Sequence, residues 1–188
     1  MGMMRLFIAL RVPATVREHL REVQSLLRAA DADVRWEQVA KLHCTLAFLG
    51  DTPEEKLADV VDAVISGANG FPPVAAGFGG IGFFPDASRA RVIWEGIDEP
   101  SGSIPGLREA IVRELDERGV GCDAKPFHAH ITLGRVRSPR GVRRLTTIAE
   151  SCTLGHPLVT IPDIAIVRSV LSSAGSTYQD LRTVPLSA

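Results

Sequence analysis

The chain has 188 residues, 45% of them hydrophobic and 23% charged, which is ordinary globular usage and excludes a mainly disordered protein. Its 21 basic and 22 acidic side chains leave a net charge of −1, which excludes a broadly basic nucleic-acid coat but leaves room for a local phosphate site. No stretch approaches the ~18 consecutive apolar residues of a membrane span, and three cysteines in no paired spacing argue against a disulfide framework or zinc site and for a reducing cytoplasm.

Met4 to Val12 reads as a strand with both faces apolar, hence central, and not as a signal peptide. Pro13 opens a helix at its first position, and Val16, Leu20, Val23 and Leu27 form one buried stripe. Asp31 to Asp33 break that helix before a short strand at Val34 to Trp36. Leu42 to Leu49 is a second clear strand, stopped by Gly50-Asp51. Thr52-Pro53-Glu54-Glu55 predicts a helix start with a capping box, and Leu57, Val60, Val61, Val64 and Ile65 supply that helix's buried face. Phe71 to Phe84 is Gly-rich yet apolar, a strand with bulges. Arg89 to Ile97 is another strand, and a third helix runs from Ser103 to Gly119. Phe127 to Val136 is a strand and Val142 to Ala149 a fourth helix. Ile161 to Leu171 and Tyr178 to Leu186 close the chain as two strands joined by a Gly/Ser loop over 172–177.

Strand, helix, motif-bearing strand and helix thus recur in both halves, which suggests an internal duplication. Mixed elements with hairpin-length connections favour an α+β fold with antiparallel sheets over a doubly wound parallel one, and the absence of a polar linker favours one domain, 1–188, made of two packed lobes.

Two of the five histidines share a context, Leu42-His43-Cys44-Thr45-Leu46 and Ala129-His130-Ile131-Thr132-Leu133. Residues i and i+2 of a strand face the same side, so each strand sets an imidazole and a hydroxyl on one face and apolar groups on the other. One such pair reads as a satisfied structural couple. Two in matching places, on apolar strands where unpartnered polar groups are costly, read as a site. Two imidazoles can serve as base and acid in one displacement, and two hydroxyls can hold an oxyanion that gains charge in the transition state. Phosphodiester cleavage needs that set, with no metal and no cofactor.

The paired His-x-Thr motifs and their flanks, Arg5-Leu-Phe-Ile-Ala-Leu, Val34-Arg-Trp, Leu42 to Gly50, Phe127 to Arg135 and the Tyr178 segment, resemble the 2H phosphoesterase superfamily, in particular its RNA 2′,3′-cyclic phosphodiesterases, historically called 2′-5′ RNA ligases. The resemblance spans nearly the whole chain. It implies a bilobed fold, with two antiparallel sheets of pseudo-two-fold related halves lining a central cleft and helices outside. It implies hydrolysis of RNA 2′,3′-cyclic phosphate ends to 2′-phosphates, with His43 as proton donor to the leaving 3′ oxygen, His130 as acceptor from water, and Thr45 and Thr132 on the phosphoryl oxygens. Cys44 and Ala129 depart from the usual flanks, as does Arg168 before Ser169, where many members carry Glu. The same site suits a small cyclic nucleotide or an ADP-ribose cyclic phosphate, and a non-catalytic RNA-end binding module is the reading from another class.

Arg135 and Phe48 each lie five residues past a motif histidine. Strict alternation points Arg135 away from the site unless a bulge re-aims it; the resemblance favours a phosphate contact. Phe48, Trp36 and Phe7 read as core packing or as stacking surfaces for a terminal base, and Tyr178, the single tyrosine, as a cleft residue. Arg135, Arg137, Arg140, Arg143 and Arg144 read either as a solvated loop and helix start or as a basic lip for RNA backbone. A metal pair of His128 and His130 lacks a third ligand motif. The expected partners are RNA ends or small cyclic nucleotides, with no membrane, for a monomeric protein.

Overall fold

The computed structural model describes residues 2–172 and 175–188 and consists of two antiparallel sheets and four helices. In chain order the elements are β1 (Met3–Arg11), α1 (Ala14–Arg28), β2 (Val34–Trp36), β3 (His43–Pro53), α2 (Leu57–Ala68), β4 (Val74–Phe84), β5 (Val92–Asp98), α3 (Ser103–Glu117), β6 (His130–Val136), α4 (Val142–Glu150), β7 (Gly155–Ile161), β8 (Asp163–Ser172) and β9 (Gly175–Pro185). One sheet has the order β3-β1-β8-β9, the other β2-β6-β5-β4-β7. The class is therefore α+β, as the mixed elements and short connections predict.

The duplication is visible in the pairing. Each motif strand, β3 or β6, pairs with the strand that opens its half of the repeat, β1 or β5. The helix after β1 crosses to the other sheet, where α1 packs with α4 and touches β7; α2 and α3 pack together and touch β9 and β3. Val16, Leu20, Val23 and Leu27 of α1 are fully buried. The apolar faces of both sheets join one continuous core of aliphatic side chains, and this core fixes the two motif strands against each other.

Several boundaries differ from the sequence reading. Pro13 caps α1 rather than entering it. β3 runs on through Gly50, whose φ of +68° lets the strand turn without stopping, and Thr52 is a buried strand residue whose hydroxyl bonds back to the Gly50 carbonyl at 3.3 Å. The predicted capping box is therefore not formed; a 3₁₀ turn over Glu54–Lys56 precedes α2 instead. Ile65 of α2 is exposed. β6 begins at His130, not Phe127. β7 was not predicted: its Pro157 sits in an edge strand, where a missing N–H is tolerated, and its residues do not alternate. Ser172 pairs with Gly175 in the last hairpin, and the remainder of the predicted 172–177 loop between them lies outside the described residues. No helix among the described residues is long and apolar enough to cross a membrane.

Candidate active site

Alternation on β3 and β6 puts Cys44, Leu46, Ile131 and Leu133 in the core, with Cys44 only 1% exposed. His43, Thr45, His130 and Thr132 therefore face outward, half-buried. The two strands touch across the sheets, and the His130 backbone N–H is directed at the Cys44 thiol, whose pKa burial pushes up to about 12. Cys44 is thus an inert strut behind the site, not a nucleophile.

Each motif histidine is locked in the same way. His43 Nδ1–H donates to the Lys41 carbonyl at 2.7 Å, and His130 Nδ1–H to the His128 carbonyl at 2.6 Å. A carbonyl only accepts, so both rings carry their Nδ1 proton, and each Nε2 remains for chemistry. Among the described residues neither Nε2, and neither the Thr45 nor the Thr132 hydroxyl, has a protein hydrogen-bond partner.

Both motifs also carry a bulge one residue after the threonine. Thr45 opposes Ala9 while Ala47 opposes Ile8, leaving Leu46 extra; Thr132 opposes Trp94 while Gly134 opposes Ile93, leaving Leu133 extra. An extra residue inverts the alternation. Phe48 and Arg135 are thereby turned onto the histidine face, against strict alternation. Phe48 packs with Phe7, Ala9, Ala165 and Val167 on that face and lies under the Arg5 guanidinium, 4.8 Å from its ring centre. Arg135 is exposed, with Nε 3.9 Å from Glu37.

The second bulge has its own support, which the sequence reading missed. The Leu133 carbonyl accepts from the Glu37 N–H at 2.9 Å and from the Gln24 side-chain amide at 2.9 Å, and the same amide also reaches the Glu37 carbonyl at 2.8 Å. Gln24 is buried on the apolar side of α1. A polar residue beside the stripe Val16-Leu20-Val23-Leu27 was the only sequence signal for it.

The surroundings of the two imidazoles differ. The His43 ring stacks on Phe7 at 4.7 Å and meets Tyr178 edge-on at 5.4 Å. Tyr178, on β9, also feels Arg35 and Arg135 of the other sheet and Glu37, just past the end of β2, so these groups face one cleft. The His43 side opens into a cavity of about 420 Å³ between β1, β8 and β9, with Arg11, Lys41, Thr177 and Asp180 in its wall. His130 meets Phe84 at 5.0 Å, and His128 and Trp94, 4.6 Å apart, each lie 6.1 Å from it. Trp36 pairs with Gly134 and packs against the core, away from the cleft, under Arg28. No three His, Cys, Asp or Glu side chains among the described residues converge as a metal-ligating group, and His128 acts as ring packing for its neighbour.

Burial lowers the pKa of both motif histidines. Their charged neighbours then act oppositely. Around His43 the Lys41 hydrogen bond and the carboxylates of Glu37 and Asp180 favour the imidazolium, against His130. Around His130 the His128 hydrogen bond favours it, while the charges of His128 and Arg135 disfavour it.

Residues 10–94 match the family described as LigT like Phosphoesterase. The chain is similar to curated proteins named RNA 2′,3′-cyclic phosphodiesterase, with 30% identity to that of Methanothermobacter thermautotrophicus over 97% of this chain and 98% of the relative. Identity is 35% to that of Thermus thermophilus, over 97% and 90%. A crystal structure of a Thermus thermophilus protein superposes with a TM-score of 0.77 at 30% identity, covering 97% of this chain and 98% of the other. Escherichia coli LigT complexed with 3′-AMP has the same fold, with a TM-score of 0.76 at 24% identity over the full length of both chains.

Proposed function

The chain belongs to the LigT-like phosphoesterases, with cyclic phosphodiesterase as the activity that its relatives' names carry, and on that premise we propose that it hydrolyses RNA 2′,3′-cyclic phosphate ends to 2′-phosphates by two-histidine acid–base catalysis, without a metal. One observation carries the reading: two imidazoles locked at Nδ1, each leaving Nε2 open beside an unpartnered threonine hydroxyl, on facing strands.

His130 is the base. Its Nε2 removes a proton from water as the water oxygen bonds to phosphorus. His43 is the acid. Its Nε2 gives a proton to O3′ as the P–O3′ bond breaks, leaving phosphate on O2′. After turnover the proton returns from His130 to His43 through solvent. Thr45 and Thr132 donate to the non-bridging oxygens, whose charge grows in the transition state. The charge environments support this division, since Glu37 and Asp180 favour a protonated His43 whereas His128 and Arg135 favour a neutral His130. Arg135 binds the phosphate, and Phe48 and Tyr178 bound the cleft against the terminal nucleoside.

Phosphorus NMR of a digest of a dinucleotide bearing a 2′,3′-cyclic phosphate tests the scheme, run with and without a chelator. A 2′-phosphate formed at equal rates in both is expected. A 3′-phosphate product overturns the assignment of the acid, and loss of turnover on chelation, restored by a divalent ion, overturns the metal-free scheme.

A further inference from the structure

Beyond the end of β6 the surface opens into a second cavity, of about 820 Å³, between the β4–β5 turn and the β6–α4 turn. This size is within the range of ligand sites. Arg89, Arg91, Arg137 and Arg143 line it, all exposed, and its wall contains no carboxylate-bearing residue. Four guanidinium groups with a single adjoining acid, on a chain whose net charge is −1, are a local concentration of positive charge. Arg89 is held by Asp86 at 2.6 Å. Among the described residues Arg91, Arg137 and Arg143 form no ion pair.

Both turns are pinned. The Arg137 N–H donates to the Asp33 carbonyl at 2.9 Å, and the Asp33 N–H to the Arg140 carbonyl at 3.1 Å. Gly141 lies so close to Ala32 that a Cβ there would come within 2.6 Å of its Cα. Across the cavity, Asp86 accepts the Ser88 and Arg89 N–H groups. The Val136 N–H, between Arg135 and Arg137, donates to the Arg91 carbonyl at 3.0 Å, which ties the two walls together. The arginines thus stand on fixed backbone, the preorganisation that anion recognition needs.

The cavity begins where β6 ends, and Arg137 links its wall to the strand that carries Arg135. Arg135, turned onto the histidine face by the Leu133 bulge, is two residues from Arg137, about 7 Å along a strand, a spacing that successive phosphates of an extended strand can match. The aromatic residues stay with the histidines; the cavity offers charge without stacking surfaces, which suits a backbone and not a base. We infer that this cavity is a phosphate-backbone subsite for single-stranded RNA, gripping the nucleotides upstream of the cyclic end and making oligonucleotides the preferred substrate. The inference rests on the proposed reaction for its direction along the strand, but not for the binding itself.

The test compares wild type with the triple variant Arg91→Ala/Arg137→Ala/Arg143→Ala on a mononucleotide 2′,3′-cyclic phosphate and on a pentanucleotide with the same end. The variant keeps its mononucleotide kcat/KM, while its KM for the pentamer rises roughly 10- to 50-fold at physiological salt and the slope of log affinity against log salt becomes shallower by about 2, since each lost single-strand contact removes about 0.7. The triple Arg→Lys variant retains most of the pentamer affinity. An unchanged pentamer KM, or an equal loss on both substrates, overturns the subsite. Should wild type turn over neither substrate, the proposed reaction fails, and fluorescence anisotropy with a labelled pentamer decides the subsite alone: weaker binding by the variant upholds it, and unchanged binding overturns it.

Discussion

The two motif strands share one scaffold and differ in their charges. β3 and β6 both present His-x-Thr, both lock the imidazole through a carbonyl two residues upstream, and both place a bulge after the threonine. What the bulge delivers differs: Phe48 in one half, Arg135 in the other. Aromatic rings flank both imidazoles, but the His43 half collects the carboxylates of Glu37 and Asp180, whereas the His130 half collects Arg135 and His128. A duplicated scaffold supplies two equivalent proton carriers, and their electrostatic neighbours make one an acid and the other a base.

Removing either carrier should have the largest effect. His43→Ala and His130→Ala are each expected to lower kcat by ~10²–10⁴-fold, with the double variant well above the product of the singles because the pair acts as a unit. Thermal melts should stay near wild type, since both side chains face the cleft. A single variant with near wild-type turnover breaks the comparison at its base.

The threonines come next. Thr45→Val and Thr132→Val remove one donor each while keeping the β-branched shape of a strand residue. A loss on the order of 10²-fold in kcat, with little change in KM, is expected if each hydroxyl binds the transition state more tightly than the ground state. A rise in KM alone would assign the hydroxyls to ground-state binding.

The third prediction concerns the bulge supported by Gln24. Gln24→Leu keeps the volume roughly but leaves the buried Leu133 carbonyl with only the Glu37 N–H. Denaturant titration should show a destabilisation of about 1–3 kcal/mol. KM should rise as Arg135 loses its fixed direction, whereas Glu22→Leu, on the exposed side of α1, should change neither quantity. Stability lost without a change in KM would make Gln24 a packing residue only.

The sequence carried the motif faces, because alternation of His and Thr against Cys, Leu and Ile is local and period two fixes it. The helix stripe of α1 was legible for the same reason, at period 3.6. The facing of Arg135 and Phe48 was not legible, since a bulge is set by cross-strand register and by a carbonyl's partners far away in the chain. The Leu133 carbonyl finds Gln24, 109 residues earlier. β7 escaped because an edge strand beside β4 is specified by its neighbour's open hydrogen bonds more than by its own pattern. The capping box after Thr52 failed because β1 competes for the same residues: Met4 pairs with Thr52 and Met3 with Pro53, so the strand claims the would-be cap.

The smallest expected effect discriminates most sharply between the two halves. Burial lowers the His43 pKa, and Asp180 is among the groups that oppose this. Asp180→Asn therefore lowers it further, and the released Arg11, its ion-pair partner, acts in the same direction. If His43 is the acid, the enzyme needs it protonated, and on the alkaline limb of kcat/KM the rate is proportional to that protonated fraction. The variant should be slower there and unchanged on the acid limb, where the neutral fraction of His130 sets the rate. If His43 is instead the base, the acid limb depends on its neutral fraction, and the same substitution makes the enzyme faster at low pH. A lost contact with substrate slows both limbs together and produces no gain anywhere. The difference should shrink at high salt, because a charge acting through a solvated cleft is screened. A pH–rate profile of Asp180→Asn that rises on the acid side would exchange the roles of the two histidines, and one that falls only on the alkaline side fixes His43 as the proton donor.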